Sequence, residues 1–175
     1  MMKTIGFAAA VALAAPVAAQ AQAQAAALTD PQIAHIAYTA GAIDVEAGRQ
    51  AIARAQSPAV RAFAETMVRD HQAVNEQALA LVRKLGVTPQ DNPTSQALSA
   101  EAAKQLKAQA ALSGAAFDRA YVTGEVTFHK TVNGALSGLL IPSAGNAELK
   151  DLLEAGLKLF SEHQGHAEHL AMTVR

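Results

Sequence analysis

Three interruptions divide an otherwise helical pattern, and their lengths dictate what this chain can fold into. At 56–60 the sequence reads "QSPAV", and at 142–146 it reads "PSAGN". Each is only a few residues long. The third interruption is far longer and runs from Gly86 to Gly114. Short helix–helix turns make antiparallel neighbours, whereas a connection as long as the third can travel the height of a bundle and return the chain to its starting end.

The segments between the interruptions carry helical signals. The first starts at "LTDPQ", where Thr29 or Asp30 can cap and Pro31 fits the first turn. It runs to about Gln56 with Ile33, Ile36, Ala40, Ile43 and Ala47 on one face. Ser57 and Pro58 restart the chain, and Gly86 ends the second helix after a stripe of Val60, Phe63, Met67, Val74, Ala78, Leu81 and Leu85. "TPQDNPTSQ" reads as loop and 98–112 as a short helix. The remaining helices cover about 115–141 and 145–172. Abundant Ala and only 4% aromatic residues agree with helices, because Ala has the highest intrinsic helix propensity. The expected fold is therefore all-α: a ferritin-like four-helix bundle with one long crossover containing a short helix. An up-and-down bundle with an irregular middle is the competing arrangement.

The first 25 residues read as a cleaved signal peptide. Lys3 gives the positive start, "IGFAAAVALAAPVAA" the apolar stretch, and the Ala/Gln run after it the small residues at A-x-A spacing. The apolar run is too short for a membrane span and contains Pro16, so the mature chain, 28–175, is expected to be one exported bundle without a transmembrane helix. Periplasmic residence and association with the outer membrane both fit. With no cysteine, disulfides and lipid attachment at a cysteine are excluded, so stability rests on packing. A net charge of −1 gives no basis for binding nucleic acid.

The chemistry lies in polar groups placed inside apolar stripes. His71 fills the gap between Met67 and Val74. On the fourth segment Glu125 and His129 fall within a face of Phe117, Tyr121, Phe128, Val132 and Leu139. On the last, His163 falls within Leu149, Leu153, Phe160, Ala167 and Leu170, and Glu46 borders the face of the first helix. Burying such groups without partners costs several kcal/mol, so they are expected to satisfy one another or an ion. Laid out in the crossover topology, five of them fall within about six residues of one height, or roughly 9 Å. His163 and His166 share a face, whereas His169 is turned about 120° from His163 and faces solvent. The expected ligand set is His71, His129 and His163, with Glu46 or Glu125 supplying a carboxylate and His166 nearby. Imidazole and carboxylate donors together suit Zn, Fe, Mn or Cu. Asp70 is expected to be solvated, and His35 to lie on the surface.

A weak internal repeat aligns "RAFAETMVRDHQAVN" (61–75) with "RAYVTGEVTFHKTVN" (119–133) and sets His71 against His129. Glu-x-x-His, which di-iron carboxylate bundles carry on two helices, does not occur. Nor do H-E-x-x-H, G-x-S-x-G, a phosphate loop or a cysteine nucleophile, so no catalytic residue is assigned.

The stretches "FAETMVRDH", "FDRAY" and "FSEHQGHAEHL" resemble the DUF4142 family, over about residues 33–170. The resemblance implies an exported bacterial protein with a ferritin-like helical fold, some members being described as outer membrane proteins. It implies no settled activity. The second string departs from the family's usual pattern: Glu125 stands at a Met position and Phe128 at an Asp position, which adds an inward carboxylate and removes an acidic neighbour of His129. Two functions stay open. One is transition-metal binding at mid-bundle, serving metal handling or envelope stress protection. The other is a metal-free structural or interaction module of the cell envelope with a buried polar network, its partner a second copy or another envelope protein.

Overall fold

A computed structural model describes residues 28–174; the leader expected at 1–25 lies outside them. Helix α1 spans Asp30–Arg54, α2 Pro58–Lys84, α3 Pro93–Ala110, α4 Gly114–Ala135 and α5 Ala147–Thr173. Beyond Ala135 the α4 axis continues through a π-helical turn, Leu136–Leu140, and a last turn, Ile141–Ser143. Pro142 accounts for that irregularity. It has no N–H to give the preceding turn, and its ring crowds the carbonyl four residues back. The ladder widens instead, and the Ile141 N–H bonds to the carbonyl of Leu136.

The breaks work as the sequence predicts. Ser57 caps α2, and Asn146 caps α5 by accepting the Leu149 N–H at 3.0 Å. Gly86 ends α2 in the left-handed region at φ 64°. Helix α3 starts five residues before the expected 98, which corrects the loop reading of "TPQDNPTSQ". Asn92 accepts the N–H groups of Thr94 and Ser95 at 3.1 Å each, and Pro93 takes the first helical position.

Helices α1 and α2 form one antiparallel pair, α4 and α5 the other. The carboxylate of Asp118, in the first turns of α4, accepts the N–H groups of Gln56 and Ser57 in the α1–α2 turn at 3.1 and 2.7 Å. At the opposite end, Asp30 on α1 accepts those of Gly145 and Asn146 in the α4–α5 turn at 2.8 and 2.9 Å. So α2 and α4 start at the same end and run parallel, and the up-and-down alternative falls. The crossover helix α3 lies against α1 and α4.

Close approach is bought with small residues. A Cβ on Gly48 of α1 would stand 2.7 Å from Val68 and 3.0 Å from the Ala64 carbonyl of α2. One on Gly124 of α4 would collide with the Gln105 amide of α3. Helix α3 is otherwise pegged by polar contacts. Gln50 donates to the Leu106 carbonyl, Arg54 to those of Ala110 and Leu112, and Gln109 to that of Ala120.

The core has two apolar halves. At the upper end, near the α1–α2 turn, Phe63, Met67, Phe117, Tyr121 and Val122 pack with Ala51, Ala55, Ala64, Ala167 and Leu170. At the lower end Ile33, Ile36, Val82, Leu136, Leu140, Leu149, Leu153 and Phe160 pack together. Between the halves, every long helix contributes a buried polar residue: Asp44, His71, Glu125, His129 and His163.

Candidate metal centre

Two histidines of this middle layer are held by one edge and the third by its face. His129 Nδ1 lies 3.0 Å from the carbonyl oxygen of Glu125, one turn back on α4. A carbonyl only accepts, so Nδ1 carries the proton and Nε2 keeps its lone pair. His163 Nε2 lies 3.0 Å from Asp70 Oδ2, which makes Nε2 the donor and leaves Nδ1 as the lone-pair nitrogen. His71 lies flat on Phe160, with ring centroids 4.5 Å apart and planes 14° from parallel. Its Nε2 is 3.3 Å from Asp44 Oδ2, within ion-pairing range but not aligned as a hydrogen bond.

What remains is unsatisfied. Among the described residues, both ring nitrogens of His71, Nε2 of His129 and Nδ1 of His163 are buried with no hydrogen-bond partner. Buried polar atoms nearly always have one, so unpartnered nitrogens on three rings that meet call for a ligand. The ring centroids stand 5.3 to 5.6 Å apart, and one nitrogen from each ring lies within 4.8 Å of the other two. A second group overlaps the first: Asp44, Glu125 and His129 each offer an atom within 4.8 Å of the others.

Electrostatics disfavours charge on His71 and His163. Burial, and then the facing His129 and His163, hold His71 well below the ordinary imidazole range. Burial also lowers His163, against the pull of Asp70. Asp44 is pushed well above the usual carboxylate range by burial first, then by the charge of Glu125 and a hydrogen bond to it. Burial and the nearby Glu125 and Asp44 likewise raise the Tyr121 hydroxyl. Asp70 stays charged. Partial burial opposes ionisation, but hydrogen bonds from Arg69 and His163 hold it below the usual range. His129 and His163 each have one N–H tied back and one nitrogen free, the arrangement that binds metal.

Four of the six expected ligands therefore come together: His71, His129, His163 and Glu125. Two do not. Glu46 is exposed, along a groove with His35 and Tyr38 that faces α3. It lies about 200° around the helix from Asp44, the residue α1 does point inward. His166 is exposed and meets Phe63 edge-on at 5.0 Å. Asp70 is also corrected, since it orients His163 and its side chain is only 18% exposed.

A cavity of about 210 Å³ leads towards this layer from beneath α3. Glu101 and Gln105 stand on its outer side, and Asp44 and Glu125 line its inner part. A cation passing under α3 would thus meet carboxylates at both ends of the route.

The family model for DUF4142, a domain of unknown function, matches residues 15–170. The chain belongs to the DUF4142 family. No curated protein and no solved structure matches it. The string "FAETMVRDH" now has a physical reading within the DUF4142 domain. Phe63 and Met67 fill the upper core, Asp70 fixes a histidine across the bundle, and His71 enters the polar layer. Among the described residues no helix is long and apolar enough to cross a membrane.

Proposed function

We propose that this DUF4142 protein binds one transition-metal ion at mid-bundle through His71, His129 and His163. Glu125 or Asp44 supplies a carboxylate, and Asp70 orients His163 from behind. The observation that carries this reading is the trio of buried, unpartnered imidazole nitrogens on three different helices. Three imidazoles and a carboxylate suit Zn, Fe, Mn or Cu. Donor atoms on a tetrahedral ion with ~2.0–2.1 Å bonds stand ~3.3 Å apart. Nitrogens within 4.8 Å of one another need a contraction of at most about 1.5 Å, within the reach of small ring rotations.

The leader-like start of the sequence supports export, and a buried site reached past carboxylates suits metal handling in the envelope. The test is metal content and melting temperature of the untagged protein, with chelator and with each of the four metals. One of them should bind at about one ion per chain and raise Tm by mass action, and His129→Ala should lose both effects. Absence of binding for all four metals sinks the proposal and leaves the metal-free polar network as the function-bearing alternative.

A further inference from the structure

We propose that the lower half of the bundle is a binding site for a compact apolar molecule of about six carbon atoms, the size that a comparable dry cavity accepts. The site is a partly open cavity of about 170 Å³ between α1, α2, the start of α3, the end of α4 and α5. Its walls include Ile36, Val82, Leu136, Leu140, Leu153 and Phe160. Among the described residues no charged side chain lines it, and its polar members are Asn75, Thr94 and Thr131.

The chain makes this space by its choice of residues. Ala37, Ala40, Ala78, Ala135 and Gly156 all face the cavity, from four helices, with Phe160 as the only aromatic among the lining residues. Small residues on four helices, set among the larger wall residues, leave a volume that packed interiors do not normally contain. Water is a poor occupant, because it needs two to four polar partners and the walls are aliphatic. An engineered cavity of ~150 Å³ lined by Leu, Ile and Phe stays dry and binds benzene.

A route in exists at the π-helical turn. Leu136, Leu139 and Leu140 of that turn border the cavity, and Leu139 is 47% exposed. The backbone ladder is already interrupted there, so this wall can be displaced more readily than a continuous helix. The occupant is either a free small hydrocarbon or the end of an alkyl chain, which share this chemistry. Phe160 belongs to the cavity wall and also stacks on His71, so an occupant would be felt at the polar layer.

The experiment is a benzene titration of the metal-free protein, followed by thermal melting and by amide and methyl NMR. Saturation should raise Tm by roughly 2 °C or more and shift resonances of Ala40, Leu136, Leu153 and Gly156 before those of Phe117 and Val122. Ala135→Leu, which fills the space, should abolish the response. Gly156→Ala is the milder variant, since its added methyl sits in ordinary contact 3.5 Å from the Phe160 ring; it should weaken benzene binding several-fold even if the larger change disturbs folding. Competition by hexanoate would assign the site to alkyl chain ends, and indifference to hexanoate would assign it to compact hydrocarbons. No benzene response in the unmodified protein, or an undiminished response in both variants, overturns the proposal. Metal binding plays no part in this measurement, so its failure leaves the histidine site untouched.

Discussion

The two halves of the core start from similar material and end differently. Above the histidine layer, Ala51, Ala55, Ala64 and Ala167 leave room that Phe63, Phe117 and Tyr121 fill. The Phe117 and Tyr121 rings run nearly parallel, 5° apart, and Phe63 tilts against Tyr121 at 6.2 Å. Below the layer the alanines and a glycine face one another among aliphatic side chains, with Phe160 as the one ring beside them. An Ala-rich bundle therefore packs well only where aromatic residues stand opposite its small ones. Among the described residues, three of the four buried aromatic side chains stand at the upper end.

The largest effect that tests this contrast is truncation. Phe63→Ala in the upper half should cost about 3–5 kcal/mol, against about 2–3 for Leu153→Ala beside the cavity. Urea denaturation of both variants measures it, and equal costs would mean the halves are equally packed. Acid comes next, and it probes the layer between them. Native His71 and His163 resist protonation, whereas the unfolded chain takes up protons below about pH 6.5. Metal-free stability should thus be full above that pH and fall towards pH 5, by an amount on the order of 1–2 kcal/mol. His71→Gln should flatten the slope, and a slope unchanged by this substitution would point to other groups.

Asp44 acts in the opposite sense. Its raised native affinity for a proton contributes least at high pH, so Asp44→Asn should stabilise the metal-free protein at pH 8 by on the order of 1 kcal/mol. That gain should vanish near pH 4; a gain that persists there would mean packing, not ionisation, is responsible. The smallest expected effect is cavity filling. Ala135→Leu should add about 1 kcal/mol without ligand, read as a rise in the urea midpoint at constant m-value. A loss instead would show that the lower walls are rigid.

The topology was legible because it depends on breaks, and breaks have strong local chemistry: Ser57–Pro58, Gly86, Asn146. The histidines were legible because each interrupts a stripe of large apolar residues, which fixes the inward face to within a fraction of a turn. Helix α1 offered no such reference. With Ala at so many positions, the face through Ile43 and Ala47 looks as apolar as the buried one through Ala40, Asp44 and Ala51, so the pattern points to Glu46 where the fold uses Asp44. The surviving signal is the pair Gly41 and Gly48 flanking Asp44, since glycines in mid-helix mark the side that touches a neighbour. Asp70 was missed for another reason. Its partner His163 is distant in sequence, and the contact exists only once α2 and α5 are docked. Likewise the start of α3 is hidden in the sequence, because its Asn92 cap precedes a polar first turn without apolar periodicity.

Two aspartates at opposite ends govern how this molecule can assemble. Asp118 belongs to the second helical hairpin but completes the turn of the first, and Asp30 belongs to the first but completes the turn of the second. Neither hairpin can finish its own corner alone. Intermediates with one hairpin formed and the other loose are thereby penalised, and the pair should melt as one cooperative unit even though its middle is polar and its lower end is hollow.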